Sequence, residues 1–174
     1  MKRILVMGSS GVGKSTFGTR LGRRLDLPVL HLDAIWYGPD WTPGDPDAFA
    51  QAIEAASAGE RWIIEGNFID HAAGPRLRRA EAIVLLDQPM GLRLWRAGWR
   101  GFAGRPRPDL PAGCRDGLDP AMFADILAFD RQDRPRIEAA IASAAPAGRI
   151  LRPRGDKAIA GVLEVLATAA NHPS

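Results

Sequence analysis

The stretch that decides the fold is GSSGVGKS, residues 8–15, which stands between a run of aliphatic residues and a helical pattern. Its spacing of Gly, four residues, Gly, Lys and Ser is that of a phosphate-binding P-loop when a strand precedes it and a helix follows. Glycines let the backbone bend tightly and turn successive N–H groups inward, so that they cradle phosphate oxygens. The positive dipole end of the following helix favours the same anion. The stretch predicts a nucleotide-phosphate site, with a ligand-free glycine-rich turn as the alternative.

Each position of this loop has an expected role. Lys14 reaches the β- and γ-phosphates, the Ser15 hydroxyl ligates Mg²⁺, and Thr16 assists at the α-phosphate. The other positions contribute their backbone to the phosphate cradle: Gly8, Ser9, Ser10, Gly11, Val12 and Gly13. We therefore expect ATP or GTP with Mg²⁺, and the lack of an Asn-Lys-x-Asp-like guanine signal favours ATP.

Short aliphatic runs alternate with helical patterns along the rest of the chain. The runs, predicted to be strands, cover 3–7, 28–32, 61–65, 82–87 and 149–153. The predicted helices cover 14–25, 46–58, 72–79, 89–100, 119–144 and 156–170. Aliphatic strands without alternation are typical of a parallel sheet buried on both faces. The alternation predicts an α/β fold of three layers.

Three residues refine the helix limits. Asp45 and Asp119 each precede a proline at a helix start, so we expect both to be N-caps. Pro135 falls inside the longest helical pattern and should kink or split it.

Composition sets broad limits. A chain of 174 residues with 46% hydrophobic and 25% charged residues predicts one ordinary globular domain, residues 1–174. Twenty arginines accompany three lysines, which favours phosphate recognition by guanidinium groups or reflects a GC-rich coding bias.

The compartment follows from what the sequence lacks. The single cysteine, Cys114, excludes an internal disulfide and a cysteine-built metal site. The amino terminus has too few apolar residues for a signal peptide, and no apolar run approaches the ~18 residues of a membrane span. We expect a cytoplasmic protein without a membrane partner.

Polar residues stand at the predicted ends of two strands. Asp33 follows the second strand, where it can accept a proton from an attacking hydroxyl or orient it; a turn or helix cap is the alternative. Glu65, at the end of the third strand, can hold Mg²⁺ through water, and Asn67 can hydrogen-bond an acceptor. Since ligands of open parallel sheets bind at the carboxyl ends of the strands, we expect these residues beside the P-loop.

Arginines surround a long irregular stretch. Residues 100–119 are rich in Gly, Pro and Arg, which predicts an active-site lid at about 101–118 or a plain surface loop. Between Asp87 and Asp109 there is no acidic residue but there are five arginines, Arg93, Arg96, Arg100, Arg105 and Arg107, and Arg131 and Arg134 form a second pair after the stretch. They either stabilise a transferred phosphoryl group or form a solvated basic face.

Individual roles are expected for five of the arginines. We assign catalytic roles to Arg100, Arg131 and Arg134, and nucleotide-binding roles to Arg96 and Arg154. Positions 93, 96 and 100 are expected on one helix face.

An aromatic group, Trp36, Tyr37 and Trp41, follows Asp33. Trp36 is the expected stacking partner of an acceptor ring, and a hydrophobic plug beneath the loop is the alternative.

The order of the motifs resembles one family. GSSGVGKST, LPVLHLDAIWY, WIIEGNF, IVLLDQP with Arg96 and Arg100 after it, RPRPDLPAGC and FDRQDRPRI occur in this order. The same order characterises the adenylate-kinase-related P-loop proteins known as DNA topology modulation proteins of the FlaR type. The resemblance extends from residue 2 to about residue 166.

More distantly, the layout is similar to nucleoside monophosphate kinases and shikimate kinase. That resemblance implies the P-loop NTPase fold, with a five-stranded parallel sheet in the order 2-3-1-4-5. It also implies adenine and phosphate binding by Arg96 and Arg100, a magnesium role for Glu65 and acceptor binding by Asp33.

Departures from these kinases limit the resemblance. The stretch EGNFID replaces the segment that carries the AMP-site arginine, and the lid is short, so a standard AMP site is not expected. The topology label implies an effect on DNA, yet dispersed arginines without a nucleic-acid module do not favour direct DNA binding.

Two functions follow from the sequence. The first is an ATP-dependent kinase of a small molecule, such as a nucleoside, a nucleotide or a metabolite. The second is an ATP-binding regulatory protein of the topology-modulation type, which acts through a DNA or protein partner. The lid arginines and Asp33 favour the kinase.

Overall fold

The computed structural model describes residues 1–103, 110 and 113–171. Arg105 and Arg107, and with them the middle of the predicted lid, lie outside the described residues.

Five parallel strands form one sheet in the order β2-β3-β1-β4-β5. They are β1 (Arg3–Gly8), β2 (Val29–His31), β3 (Trp62–Glu65), β4 (Ala82–Leu86) and β5 (Arg149–Leu151). The predicted fold class and strand order are confirmed. Val6 is in register with Glu65 on one side and Val84 on the other, and Gly8 is in register with Leu86. The chain thus leaves β1 at the edge of the sheet where β3 and β4 also end.

The helices are α1 (Lys14–Leu25), α2 (Leu32–Trp36), α3 (Pro46–Ala58), α4 (Ala73–Arg79), α5 (Met90–Ala103), α6 (Pro120–Ala128), α7 (Asp133–Ala144) and α8 (Asp156–Asn171). A 3-10 turn covers Pro39–Trp41. The limits predicted for α1 and α3 agree with those observed. The helix α2 was not predicted, because β2 ends at His31 rather than at residue 32. Asp33 therefore lies in the first turn of a short helix.

The expected caps and the expected break are present. The Asp45 side chain accepts a hydrogen bond from Ala48 N, and the Asp119 side chain accepts one from Ala121 N. The long helical pattern divides into α6 and α7 before Pro135 rather than at it. Pro135 lies in the first turn of α7, where a missing N–H leaves no helical hydrogen bond unmade.

The sheet separates two hydrophobic cores, so the molecule has three layers. Alternate residues of β1 point to opposite faces: Leu5 and Met7 join the core that contains Phe49 and Ile137. Ile4 and Val6 join the core that contains Phe17, Leu21, Leu163 and Leu166 of α1 and α8. Burial on both faces holds for β1, β3 and β4, whereas the edge strands β2 and β5 are only half-buried. Among the described residues, no helix combines the length and apolarity that crossing a bilayer demands.

Close packing of α1 on the sheet depends on a glycine in the middle of that helix. A Cβ on Gly22 would lie 2.3 Å from Val29 Cγ2 and 3.0 Å from the Leu27 carbonyl oxygen. Gly161 of α8 is the opposite case, because a Cβ there would meet nothing within 4 Å.

The same substitution should therefore have opposite effects at the two sites. Gly22→Ala should lower the free energy of unfolding by about 1–3 kcal/mol through overpacking. Gly161→Ala should raise it by about 0.5–1 kcal/mol, because alanine has the higher helix propensity. Urea unfolding of both variants measures the difference, and stabilisation of both would contradict the packing of α1 described here.

Candidate functional site

The loop between β1 and α1 is shaped by glycines in left-handed conformations. Gly11 has φ 76°, and a Cβ there would lie 2.3 Å from the Arg93 carbonyl oxygen of α5. Gly13 has φ 98°, and a Cβ there would meet nothing within 4 Å. One glycine thus seats the loop on α5, and the other leaves space in front of the start of α1. That space, bordered by the first N–H groups of a helix, fits a phosphate group.

A buried carboxylate lies beneath the start of α1. Glu65 is 2% exposed, and its Oε2 atom accepts a hydrogen bond of 3.2 Å from Ser15 Oγ. His31 Nδ1 lies 2.9 Å from the same oxygen, and Lys14 Nζ lies 3.9 Å from Oε1. Lys14 Nζ also donates to the Ser9 carbonyl oxygen at 3.3 Å. The predicted metal pair, Ser15 and Glu65, is thus in direct contact beside the P-loop lysine.

The donor set fits Mg²⁺ only in combination with phosphate and water. Within the part of the chain that the structure describes, no group of three or more His, Cys, Asp or Glu side chains could hold a metal. Ser15 and Glu65 offer the oxygen ligands that Mg²⁺ prefers, and Mg²⁺ usually completes its shell with substrate phosphates and water. A magnesium ion here would therefore arrive with a nucleotide.

Asn67 pairs with the P-loop itself. Its Oδ1 atom accepts from Gly8 N at 3.0 Å, and its Nδ2 atom donates to the Gly8 carbonyl oxygen at 3.1 Å. The segment that carries Asn67 is in turn fixed by the buried Arg76, which donates to the carbonyl oxygens of Asn67 and Phe68. Burial lowers the pKa of Arg76 to about 10. This side chain holds the backbone at the end of β3.

A cleft of about 1090 Å³ extends from the P-loop. Of the predicted site residues, those that line it are Ser10, Gly11, Val12, Gly13, Lys14, Ser15, Thr16, Asp33, Glu65, Arg96 and Arg100. The cleft thus unites the P-loop, the predicted base and two of the predicted phosphate-binding arginines.

Arg96 is held at the wall of the cleft by α8. Its Nη2 atom lies 2.9 Å from both carboxylate oxygens of Asp156. Gln88 Nε2 donates to Asp156 Oδ1 at 2.6 Å. These bonds join the start of α5 to the start of α8 and place a guanidinium group at one end of the cleft.

An ion-pair network accounts for three other arginines. Arg134 Nη2 lies 2.8 Å from Asp87 and 3.1 Å from Asp130, and Arg154 Nε lies 3.5 Å from Asp87. Arg93, which is buried, pairs with Asp130. Positions 93, 96 and 100 share one face of α5 as expected, but the Arg93 guanidinium is buried against Asp130 and does not line the cleft with Arg96 and Arg100. The network joins α5, α7 and the end of β4.

Several predicted residues lie outside the set that lines this cleft in the described part of the chain. Gly8 and Ser9 lie at the base of the P-loop, Asn67 faces Gly8, and Arg134 and Arg154 face Asp87. Arg131 is exposed on the turn between α6 and α7.

Trp36 packs with other aromatic rings rather than into the cleft. Its ring centroid lies 4.9 Å from that of Phe49, 5.2 Å from that of His71 and 6.1 Å from that of Phe68. This arrangement is the hydrophobic plug that the sequence left as an alternative. A stacking role for Trp36 would require that cluster to open.

The last part of the predicted lid is tied to the segment after α2. Trp41 Nε1 donates to the Arg115 carbonyl oxygen at 3.1 Å, and Trp41 N donates to Cys114 Sγ at 3.3 Å. Cys114 Sγ donates to the Gly38 carbonyl oxygen at 3.1 Å. Cys114, which carried no expected role, thus helps to hold Trp41, which lines the cleft.

Sequence reasoning missed much of the cleft lining. Tyr37 and Trp41, which belong to the aromatic group singled out after Asp33, line the cleft. The cleft residues without a predicted site role are Arg115, Asp116, Asp119, Met122 and Asp125, with Trp95 and Trp99 on α5. The sequence did indicate a role for Asp119, but only as the N-cap of a helix. Arg115 and Asp116 lie in the last part of the predicted lid, and the others face the cleft from helices whose orientation the sequence does not fix.

Comparisons with known proteins identify the fold. A shikimate kinase from Acinetobacter baumannii, in complex with shikimate, superposes with a TM-score of 0.64 at 16% identity, covering 98% of this chain and 94% of that one. A shikimate kinase from Bacteroides thetaiotaomicron gives 0.58 at 19% identity, covering 98% and 99%. A gluconokinase from Sinorhizobium meliloti gives 0.56 at 15% identity, covering 98% and 91%.

At these identities the likeness shows the fold, which is that of the P-loop kinases. No protein-family profile matches the chain. No curated protein matches it either. The resemblance to the topology modulation proteins therefore stays a prediction.

Asp130 offers a test of the network behind Gly11. Burial alone would raise the pKa of Asp130, but hydrogen bonds from Arg93 and Arg134 outweigh it and hold the pKa below its ordinary value. A carboxylate with a lowered pKa in the folded state stabilises the fold above its unfolded pKa, and that contribution is lost as the pH falls through the folded pKa.

Asp130→Asn should lower the free energy of unfolding at pH 7 by about 1–3 kcal/mol, because it leaves the buried Arg93 without its charged partner. The deficit should persist to about pH 4 and shrink only below that. Urea unfolding at pH 7, 5 and 3 measures it, with the exposed Asp47→Asn as control. Equal stability of wild type and Asp130→Asn at pH 7 would contradict the role of this network.

Proposed function

We propose that this chain is an ATP-dependent small-molecule kinase that transfers the γ-phosphoryl group to a hydroxyl of an acceptor bound beside Asp33. The observation that carries the proposal is that the P-loop, Asp33, Arg96 and Arg100 all line one cleft. The P-loop kinase fold supports it.

The nucleotide end of the cleft is the part that contains the P-loop, Arg96 and the side of α8. In the proposal, the loop N–H groups and Lys14 bind the β- and γ-phosphates, and Arg96 and Arg100 neutralise charge on the phosphates. Phe17, Ile159 and Leu163 give this end an apolar wall suited to a base. Positive groups placed before the reaction stabilise the charge of the transferred phosphoryl oxygens.

The proposed transfer is a displacement at phosphorus. The acceptor oxygen forms a bond to the γ-phosphorus while the bond from that phosphorus to the β–γ bridging oxygen breaks, which leaves ADP. Asp33 accepts the hydroxyl proton or orients the hydroxyl. A bound Mg²⁺, held by Ser15 directly and by Glu65 through water, would supply positive charge to the phosphates.

The other predicted residues take supporting roles in the proposal. Asn67 holds Gly8 in place, so that we propose it to position the P-loop rather than to contact an acceptor. Arg134 and Arg154 share Asp87, from which either could turn towards the phosphates. Arg131 and Trp36 would need movement to reach the cleft.

An acceptor screen tests the proposal. The protein is incubated with Mg·ATP and a panel of nucleosides, nucleotides, sugars and small metabolites, and ADP release is measured. One acceptor class should stimulate release strongly, and Lys14→Ala should abolish both the stimulation and the thermal stabilisation by ATP. Lys157→Ala, which changes an exposed lysine on α8, should retain both.

Equal ADP release with every acceptor, together with DNA or protein binding that depends on ATP, would contradict the kinase proposal. It would favour the alternative, a regulatory protein of the topology-modulation type. Retention of ATP-induced stabilisation by Lys14→Ala would contradict the phosphate cradle itself.

Asp33→Asn separates chemistry from binding. Loss of a general base lowers transfer by about 10²–10⁴-fold. ATP affinity should stay the same, since Asp33 lies outside the P-loop. Single-turnover transfer and ATP titration measure the two quantities, and Asp47→Asn is the matched control. Undiminished transfer by Asp33→Asn would remove Asp33 from the mechanism.

A further inference from the structure

The end of the cleft away from α8 is chemically unlike the nucleotide end. We call it the acceptor end, and it comprises Asp33, Tyr37, Trp41, Asp116, Asp119 and Asp125. It belongs to the same cleft as the P-loop, so that a molecule bound there can reach the γ-phosphate position.

Among the residues that the structure describes, carboxylates outnumber arginines at the acceptor end. Its four aspartates share the cleft lining with Arg100 and Arg115, the two arginines that we assign to this end, so the described side chains carry two carboxylates in excess there. Arg100 is also the arginine assigned to the phosphates of ATP. An acceptor with a negative charge would add repulsion to an end that already carries this excess.

Burial and neighbouring carboxylates act together on two side chains at this end. Burial raises the pKa of the Tyr37 hydroxyl, and the carboxylates of Asp33, Asp125 and Asp119 raise it further. Burial also raises the pKa of Asp125, with Asp133 and Asp119 adding to the shift. The Tyr37 hydroxyl is therefore close enough to three carboxylates of this end to interact with them.

Carboxylates alone do not define a ligand, but aromatic faces stand beside them. The rings of Tyr37 and Trp41 meet edge to face, with centroids 5.4 Å apart. The Trp41 indole is held in position by its hydrogen bond to the Arg115 carbonyl oxygen. A fixed aromatic pair together with carboxylates is a typical arrangement for binding an ammonium group.

We infer that the acceptor carries a protonated amine as well as the hydroxyl that is phosphorylated, as in amino sugars and amino alcohols. The inference rests on the proposed kinase function and names its substrate class. The ammonium group binds between Trp41 and the aspartates Asp119 and Asp125, and the hydroxyl lies at Asp33. The amine takes no part in the transfer and leaves on the phosphorylated product.

Matched acceptors test the inference. Glucosamine, glucose and gluconate form one series, and 2-amino-1,3-propanediol, glycerol and glycerate form another. Within each series we expect the amine to have the highest kcat/KM, by at least about tenfold over the neutral compound, which is the range of one charged or cation–π contact. The acid should be the poorest acceptor.

Variants assign the preference to named side chains. Asp119→Asn keeps a good N-cap for α6 and removes the charge, and Asp125→Asn changes an exposed carboxylate of the same helix. Each should raise KM for the amine about three- to tenfold, with little change for the neutral compound. Asp47→Asn, far from the cleft, should change neither.

A binding measurement separates this inference from the kinase proposal. Calorimetric titration of Lys14→Ala with glucosamine and with 2-amino-1,3-propanediol should show binding that Asp119→Asn and Asp125→Asn weaken. Binding of the amines without transfer by the wild type would overturn the kinase and keep the amine site. Preferential transfer to glucose, glycerol or the acids would keep the kinase and overturn the amine site. If the protein neither binds nor phosphorylates any of the amines, the amine site is overturned.

Discussion

The pairing of the Asn67 amide with both backbone groups of Gly8 is the contact on which the site depends. It joins the end of β3 to the residue at which the chain leaves β1. Because Gly8 N–H and C=O are satisfied by a side chain, the following residues are free to turn their own N–H groups towards a ligand. Arg76 fixes the Asn67 backbone from below. The P-loop is therefore held by the sheet edge rather than by a bound nucleotide.

Several of the chain's many arginines have structural uses. Arg76 and Arg93 are among the largest buried side chains, and each serves protein oxygens: two carbonyls for Arg76 and the Asp130 carboxylate for Arg93. Guanidinium suits these positions because it offers several donors in a rigid plane. Only Arg96 and Arg100, among the arginines predicted to act in the site and described here, line the cleft.

How well a feature could be predicted from the sequence depends on how far apart along the chain its interacting residues lie. Strand runs, caps at Asp45 and Asp119 and the P-loop are local patterns, and each is present as predicted. The role of Asn67 could not be predicted, because its partner lies 59 residues away. Helix spacing placed Arg93 with Arg96 and Arg100, but burial against Asp130 depends on α6 and α7. The same limit concealed the acceptor end, which brings residues 33–41 together with residues 116–125.

In the proposed kinase, the described residues give the two ends of the cleft different charges, and this difference would determine how ATP and the acceptor are held. ATP is a polyanion, and a second anion in the same cleft would compete for Lys14, Arg96 and Arg100. Carboxylates at the acceptor end repel a second triphosphate from that end and leave the cations to one nucleotide. A cationic acceptor also lowers the net charge of the complex before transfer. The orientation of both substrates then follows from charge, with Asp33 at the boundary between the two ends.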